Sequence, residues 1–166
     1  MRILGIDPGT ATTGYGIVDM DGNGDSKVIE WGLIETDKDK IKERRLEKIH
    51  KETYKLIKDK KPDLFAMEKV FFATNAKTVI AVGQAQGVLL MAASRAKVKV
   101  VEYAPGTIKK AITGNGRANK KDVQKSVRKI LGNHVKSKKH KKTHFDNAAD
   151  ALAVALTHAY QLKVKR

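Results

Sequence analysis

The chain has 166 residues, with 34 Lys plus Arg against 18 Asp plus Glu and no cysteine, which is room for one full hydrophobic core and not comfortably for two. Its formal charge of +16 points to polyanionic partners, nucleic acid first, because no run of ~18 uninterrupted apolar residues and no amphipathic helix with exposed large apolar residues is legible. Disulfides, thiolate zinc sites and cysteine nucleophiles are excluded, and an opening MRILGIDPG without the layout of a secretory signal leads us to expect a soluble, cytosolic protein.

The run RILGID reads as a strand ending in an acid, followed by the turn chemistry of DPGTATTG. YGIVDM and SKVIEWGLIET flank the tight connection DGNG, so the first three strands are expected to form an antiparallel meander. From about Lys40 to Lys60 the period becomes helical, with Ile41, Leu46, Ile49 and Ile57 on one side and lysines on the other, until Lys61 and Pro62 end it. DLFAMEKV is a strand of the buried type, and a long helix of apolar and small residues follows from about Ala76 to Ala96. VKVVEYA gives a fifth strand, Pro105 opens a short helix, GNGRAN is a loop, Asn119 caps KKDVQKSVRKIL, and a last helix runs from about Asp146 to Tyr160. The order βββαβαβ followed by helices predicts an α/β, ribonuclease H-like fold: a mixed five-stranded sheet flanked by helices, as a single domain over 1–166. The biased segment HVKSKKHKKTH reads as a solvated basic loop.

Candidate chemistry lies with the acids. Asp7 closes the first strand and Glu68 the strand DLFAMEKV, so both project at a sheet edge, where α/β sites form. Asn147 and Asp150 stand three apart on the last helix and share a face. Converging carboxylates repel unless hard cations such as Mg²⁺ neutralise them. Two such ions ~3.5–4 Å apart can activate a water and stabilise the leaving oxygen of a phosphodiester. Each acid alone has a plainer reading: Asp7 as a turn residue, Glu68 as a solvated strand end, Asp150 as a first-turn acid on its helix dipole. His134, His140 and His144 invite zinc, but they lie among lysines that would repel a cation, and no fourth ligand is apparent.

Four blocks bear on the choice: GIDPGTATTGYGIV; KPDLFAMEKVFFATNAKTV with GQAQGVLL; YAPGTIKKAITGNGRANKKDVQ; and DNAADALAVALTH. In order and spacing, over nearly the whole chain, they resemble the signature blocks of the RuvC family of Holliday junction resolvases. The resemblance implies a crossover junction endodeoxyribonuclease of the ribonuclease H-like superfamily. Such an enzyme binds four-way junctions as a homodimer and makes paired symmetric nicks in recombination and repair, alongside a RuvA–RuvB branch-migration complex. It places Asp7, Glu68 and Asp150 on three of four catalytic, metal-binding acids, served by Mg²⁺ or Mn²⁺ with two ions per site. The fourth position, Asp or His in the family pattern, is Asn147 here. An amide oxygen brings no negative charge, so Asn147 reads as an engineered inactivating change, as a natural variant with weaker or shifted activity, or as a loss made good by the neighbouring Asp146, which needs an irregular helix start; reduced turnover is the expectation. A non-catalytic junction-binding protein and another ribonuclease H-like nuclease are the alternatives.

For DNA binding, the resemblance puts Lys109 and Lys120 on basic positions that contact junction backbone, and Lys110, Arg117 and Lys121 thicken the same patch. It also matches Phe71 to an aromatic that stacks on an unpaired base, a position that by itself reads equally well as a core or cover residue, while Phe72 reads as buried. The helix TVIAVGQAQGVLLMAASRA is apolar around much of its circumference, with Ala81, Gly83, Ala85 and Gly87 permitting close approach. Either another helix of the same domain covers it or a second copy does, and two nicks related by a dyad favour the second copy.

Overall fold

Three antiparallel strands come first: β1 (Arg2–Asp7), β2 (Thr12–Met20) and β3 (Ser26–Glu35). The connection between the last two is folded by Asp21, whose Oδ1 accepts from the amides of Asn23 at 2.8 Å and Asp25 at 2.9 Å, with Gly24 at φ +85°. The computed structural model of the protein describes residues 1–69, 76–132 and 142–164, the last stretch with side chains from residue 148 onward. Helix α1 (Lys42–Lys60) leads to β4 (Leu64–Glu68), α2 (Ala76–Arg95) to β5 (Lys99–Tyr103), and then come α3 (Pro105–Thr113), α4 (Lys120–Leu131) and α5 (Lys142–Val164). The sheet order is β3-β2-β1-β4-β5, with β4 parallel to both β1 and β5. This is the expected mixed five-stranded sheet.

Strand alternation divides the core into two layers. Leu4, Ile6, Phe65 and Met67 face α1 and α2, where Ile49, Ile57, Ala85 and Leu89 are buried against them. Ile3, Leu64 and Ala66 face the other way, into the layer formed by α3, α4 and α5. Helix α5 lies on that second face because β1 and β2 present two cross-strand glycines to it. Gly5 is paired with Gly16, a Cβ on Gly5 would stand 2.2 Å from the carbonyl oxygen of Ala151, and one on Gly16 would stand 2.5 Å from Leu152. Only a bare strip of sheet admits a helix backbone so close.

Three local expectations need correction. Ile41 does not join the buried stripe of α1: it is the N-cap, at ψ 152°, and is 64% exposed, because helical periodicity does not extend to a residue outside the helix. The stripe is instead Ile49, Thr53 and Ile57, spaced by four, with Leu46 half-buried. Helix α5 begins at Lys142 rather than near Asp146 and runs on to Val164. Asp150 therefore sits in the third turn, where a dipole role does not apply. The helix is also continuous through 146 and 147, so the irregular start that would let Asp146 replace Asn147 is missing.

By length and mean hydropathy α2 would be able to cross a membrane, but its Ala85, Leu89 and Ala93 row is packed on the sheet. Among the described residues the opposite row is open: Ile80 is 62% and Met91 53% exposed, and no described atom lies within 4 Å of a Cβ built on Gly83 or Gly87. Of the four small residues expected at a helix contact, Ala85 thus belongs to the core, Ala81 is half-buried, and the two glycines face outward.

Candidate active site

The parity that sorts the core also aims the acids. Asp7 continues the row Ile3, Gly5 and Glu68 the row Leu64, Ala66, so both side chains emerge on the α5 face, at adjacent strand ends one step beyond the Ile6–Met67 pair. Asp150 is on the turn of α5 that leads into Ala151, the residue seated on Gly5. Sequence-distant acids are thereby brought to one rim. The loop after Asp7 is braced by side chains: Thr13 Oγ1 donates to the Gly9 carbonyl at 2.7 Å, and Thr36 Oγ1 donates to the Thr10 carbonyl at 2.5 Å.

Electrostatics record the convergence. Partial burial, then the charges of Asp150 and Glu68, push the Asp7 carboxyl up from 3.8 to about 7, with Lys120 pulling the other way. Glu68 is also raised, first by burial and then by Asp150, against opposing pulls from Lys109 and Lys120. Asp150 is directly engaged, its Oδ2 standing 2.7 Å from Lys120 Nζ. Glu68, Lys109, Lys120 and Asp150 wall a hollow of about 190 Å³ floored by Ile108 and Val123. Two larger hollows, of about 570 and 650 Å³, lie elsewhere. There the charges are already matched, Glu30 with Tyr15 and Lys60, and Arg2 with Asp19 through two 2.8 Å bonds. Repelling acids, not size, mark the site.

As they stand, no three acidic or histidine side chains among the described residues are gathered tightly enough to hold one ion. The donor chemistry nevertheless fits Mg²⁺ or Mn²⁺. All donors are hard oxygens that need neutralising, and Mg²⁺ takes one or two carboxylates, waters and substrate phosphates rather than a closed protein cage. One or two of Asp7, Glu68 and Asp150 would hold it.

The other expected residues fall as follows. Lys109 is half-buried on α3; Lys110, Arg117, Lys120 and Lys121 are exposed on α3, on the α3–α4 loop and at the start of α4, where Asn119 caps by accepting from the Asp122 amide at 3.0 Å. Asn147 and His144 belong to α5 ahead of the described side chains, and Phe71, Phe72, His134 and His140 lie outside the described residues. Sequence reading missed Tyr103 and His158. Tyr103 pairs with Glu68 across the strands, and its hydroxyl hydrogen-bonds His158 Nδ1 at 2.5 Å, fastening α5 to β5. An aromatic closing a strand and a histidine two turns beyond Asp150 were the available signals.

Residues 3–158 match the family model for crossover junction endodeoxyribonuclease RuvC. A Fusobacterium nucleatum protein of that description is 44% identical over 99% of this chain and 83% of its own length. One from Thermotoga petrophila is 43% identical over 100% and 96%. The structure of T. thermophilus RuvC in complex with Holliday junction substrate is similar at a TM-score of 0.85 and 32% identity, covering 99% of this chain and 96% of that one.

Proposed function

Because the chain belongs to the RuvC family of crossover junction endodeoxyribonucleases, we propose that it binds four-way junction DNA as a homodimer and cuts it with two symmetric nicks. The carrying observation is the acidic rim of Asp7, Glu68 and Asp150 set among Lys109 and Lys120 in a chain of charge +16. A basic surface draws in the phosphate backbone, and an acidic pocket within it is where phosphate oxygens would meet cations. The cations, when bound, activate a water and stabilise the leaving oxygen. The protein's part is to hold its carboxylates together at a cost in repulsion and to place lysines where the backbone must pass. Lys110, Arg117 and Lys121 extend that track, and Phe71 supplies the stacking aromatic. The T. thermophilus relative seen with a Holliday junction supports the same substrate here.

Dimerisation rests on the open row of α2. Ile80, Gly83, Gly87 and Met91 form one face of the helix that none of the described residues covers, and a second copy across a dyad would bury it while presenting two sites to a two-fold substrate. The family's branch-migration complex, RuvA–RuvB, is the expected companion. Asn147 supports slow turnover rather than a binding protein without chemistry, since three acids remain. A junction labelled on each arm and incubated with Mg²⁺ or Mn²⁺ tests the proposal: paired nicks are expected from the natural chain and faster ones from Asn147→Asp. Junction binding with no cleavage by either protein would leave only the non-catalytic alternative.

A further inference from the structure

Lys120 breaks a local rule. It is the first residue of α4, where the helix dipole disfavours a cation, and its bond to Asp150 is exposed on the lysine side, 61% against 22% for the acid, so it adds little to folding. A cation set against its own helix dipole and bonded to a site acid points to function. The ammonium occupies Oδ2 of Asp150, an oxygen that the function proposed above assigns to a divalent cation. The same ammonium opposes the upward push on both Asp7 and Glu68. It therefore quiets all three acids from one place.

We propose that Lys120 is a standby counter-ion: its ammonium holds Asp150 until a divalent cation displaces it, and the displaced ammonium then turns to a DNA phosphate. Cation and backbone would thus be coupled through one side chain. By reciprocity, whatever draws Lys120 away from Asp150 raises affinity for the cation by the factor with which the cation favours that partner. Being exposed at the first position of a helix, Lys120 can swing without repacking the core.

The inference rests on the metal-site reading of Asp150, and Mn²⁺ binding in the absence of DNA, followed by electron paramagnetic resonance of the free ion, separates the two. Lys120→Met should bind Mn²⁺ about tenfold more tightly than the natural chain, since it removes both a competitor and a nearby positive charge. Lys125→Met deletes an equal charge from the exposed side of the same helix without touching a site acid, and it should stay within about twofold. Asp150→Asn should bind weakly. Added Mn²⁺ should also speed acetylation of Lys120, read by peptide mass spectrometry, in the natural chain and not in Asp150→Asn. Unchanged or weaker binding by Lys120→Met, an equal gain in Lys125→Met, or a flat acetylation rate overturns the standby role. Natural-strength binding by Asp150→Asn overturns the metal-site reading as well.

Discussion

Replacing Asp7 by Asn should make the protein more stable and inactive at once. Asp7 is lifted from 3.8 to about 7 by burial and by the charges of Asp150 and Glu68. At ~1.36 kcal/mol per pH unit, keeping it ionised in the fold costs at most about 4 kcal/mol, and screening of a partly exposed carboxylate brings a working value to roughly 2 kcal/mol. Above pH 7 the carboxyl is ionised in both folded and unfolded chains, and the cost is fully present. Between about pH 7 and 4 the folded form keeps a proton that the unfolded form has lost, so the cost shrinks as pH falls. Below that it vanishes. Thermal unfolding followed by circular dichroism in chelator should place Asp7→Asn about 4–8 °C above the natural chain at pH 8, for a domain of this size, and nearly level with it at pH 4.5. Millimolar Mg²⁺ should raise the natural chain at pH 8 and leave Asp7→Asn almost unmoved. A variant no more stable at pH 8, or one whose gain is the same at both pH values, would refute the claim that burial and the neighbouring acids make an ionised Asp7 costly.

Other outcomes follow from the same geometry. Gly5→Ala puts a Cβ 2.2 Å from the Ala151 carbonyl oxygen; it should cost about 3 kcal/mol, seen as a lower urea midpoint, and should reduce cleavage because Asp150 moves with the helix. Ile80→Glu with Met91→Glu should give a folded monomer in sizing with light scattering, and persistence of a dimer would place the contact elsewhere on the molecule. Lys109→Ala should weaken junction binding uniformly across sequences and flatten the plot of log affinity against log salt by about one, if that lysine meets a phosphate.

Most of the framework was legible because alternation and helical spacing report burial directly. RILGID and DLFAMEKV each carry their buried rows in the letters, and once both are strands the parity of Asp7 and Glu68 follows. Asn119 announced α4 through capping chemistry. What escaped was whatever a distant partner decides. Ile41 matched the apolar pattern but preceded the helix it was counted in. The sequence places α5 from about Asp146 to Tyr160, whereas the helix runs from Lys142 to Val164. The seat formed by Gly5 and Gly16 is visible only when two strands are laid side by side. The bond from Lys120 to Asp150, joining two helices, leaves no periodic trace.

That glycine seat also sets a timetable. Asp7 leaves the ribosome with the first strand and Asp150 with the last helix, so an incomplete chain carries two acids beside a vacant groove and lacks the third. A contact spanning nearly the full sequence is also among the slower ones to close. On the proposed role of these acids, the capacity to cut comes at the end of folding, and truncated or half-made copies would cling to nucleic acid by charge without the means to break it.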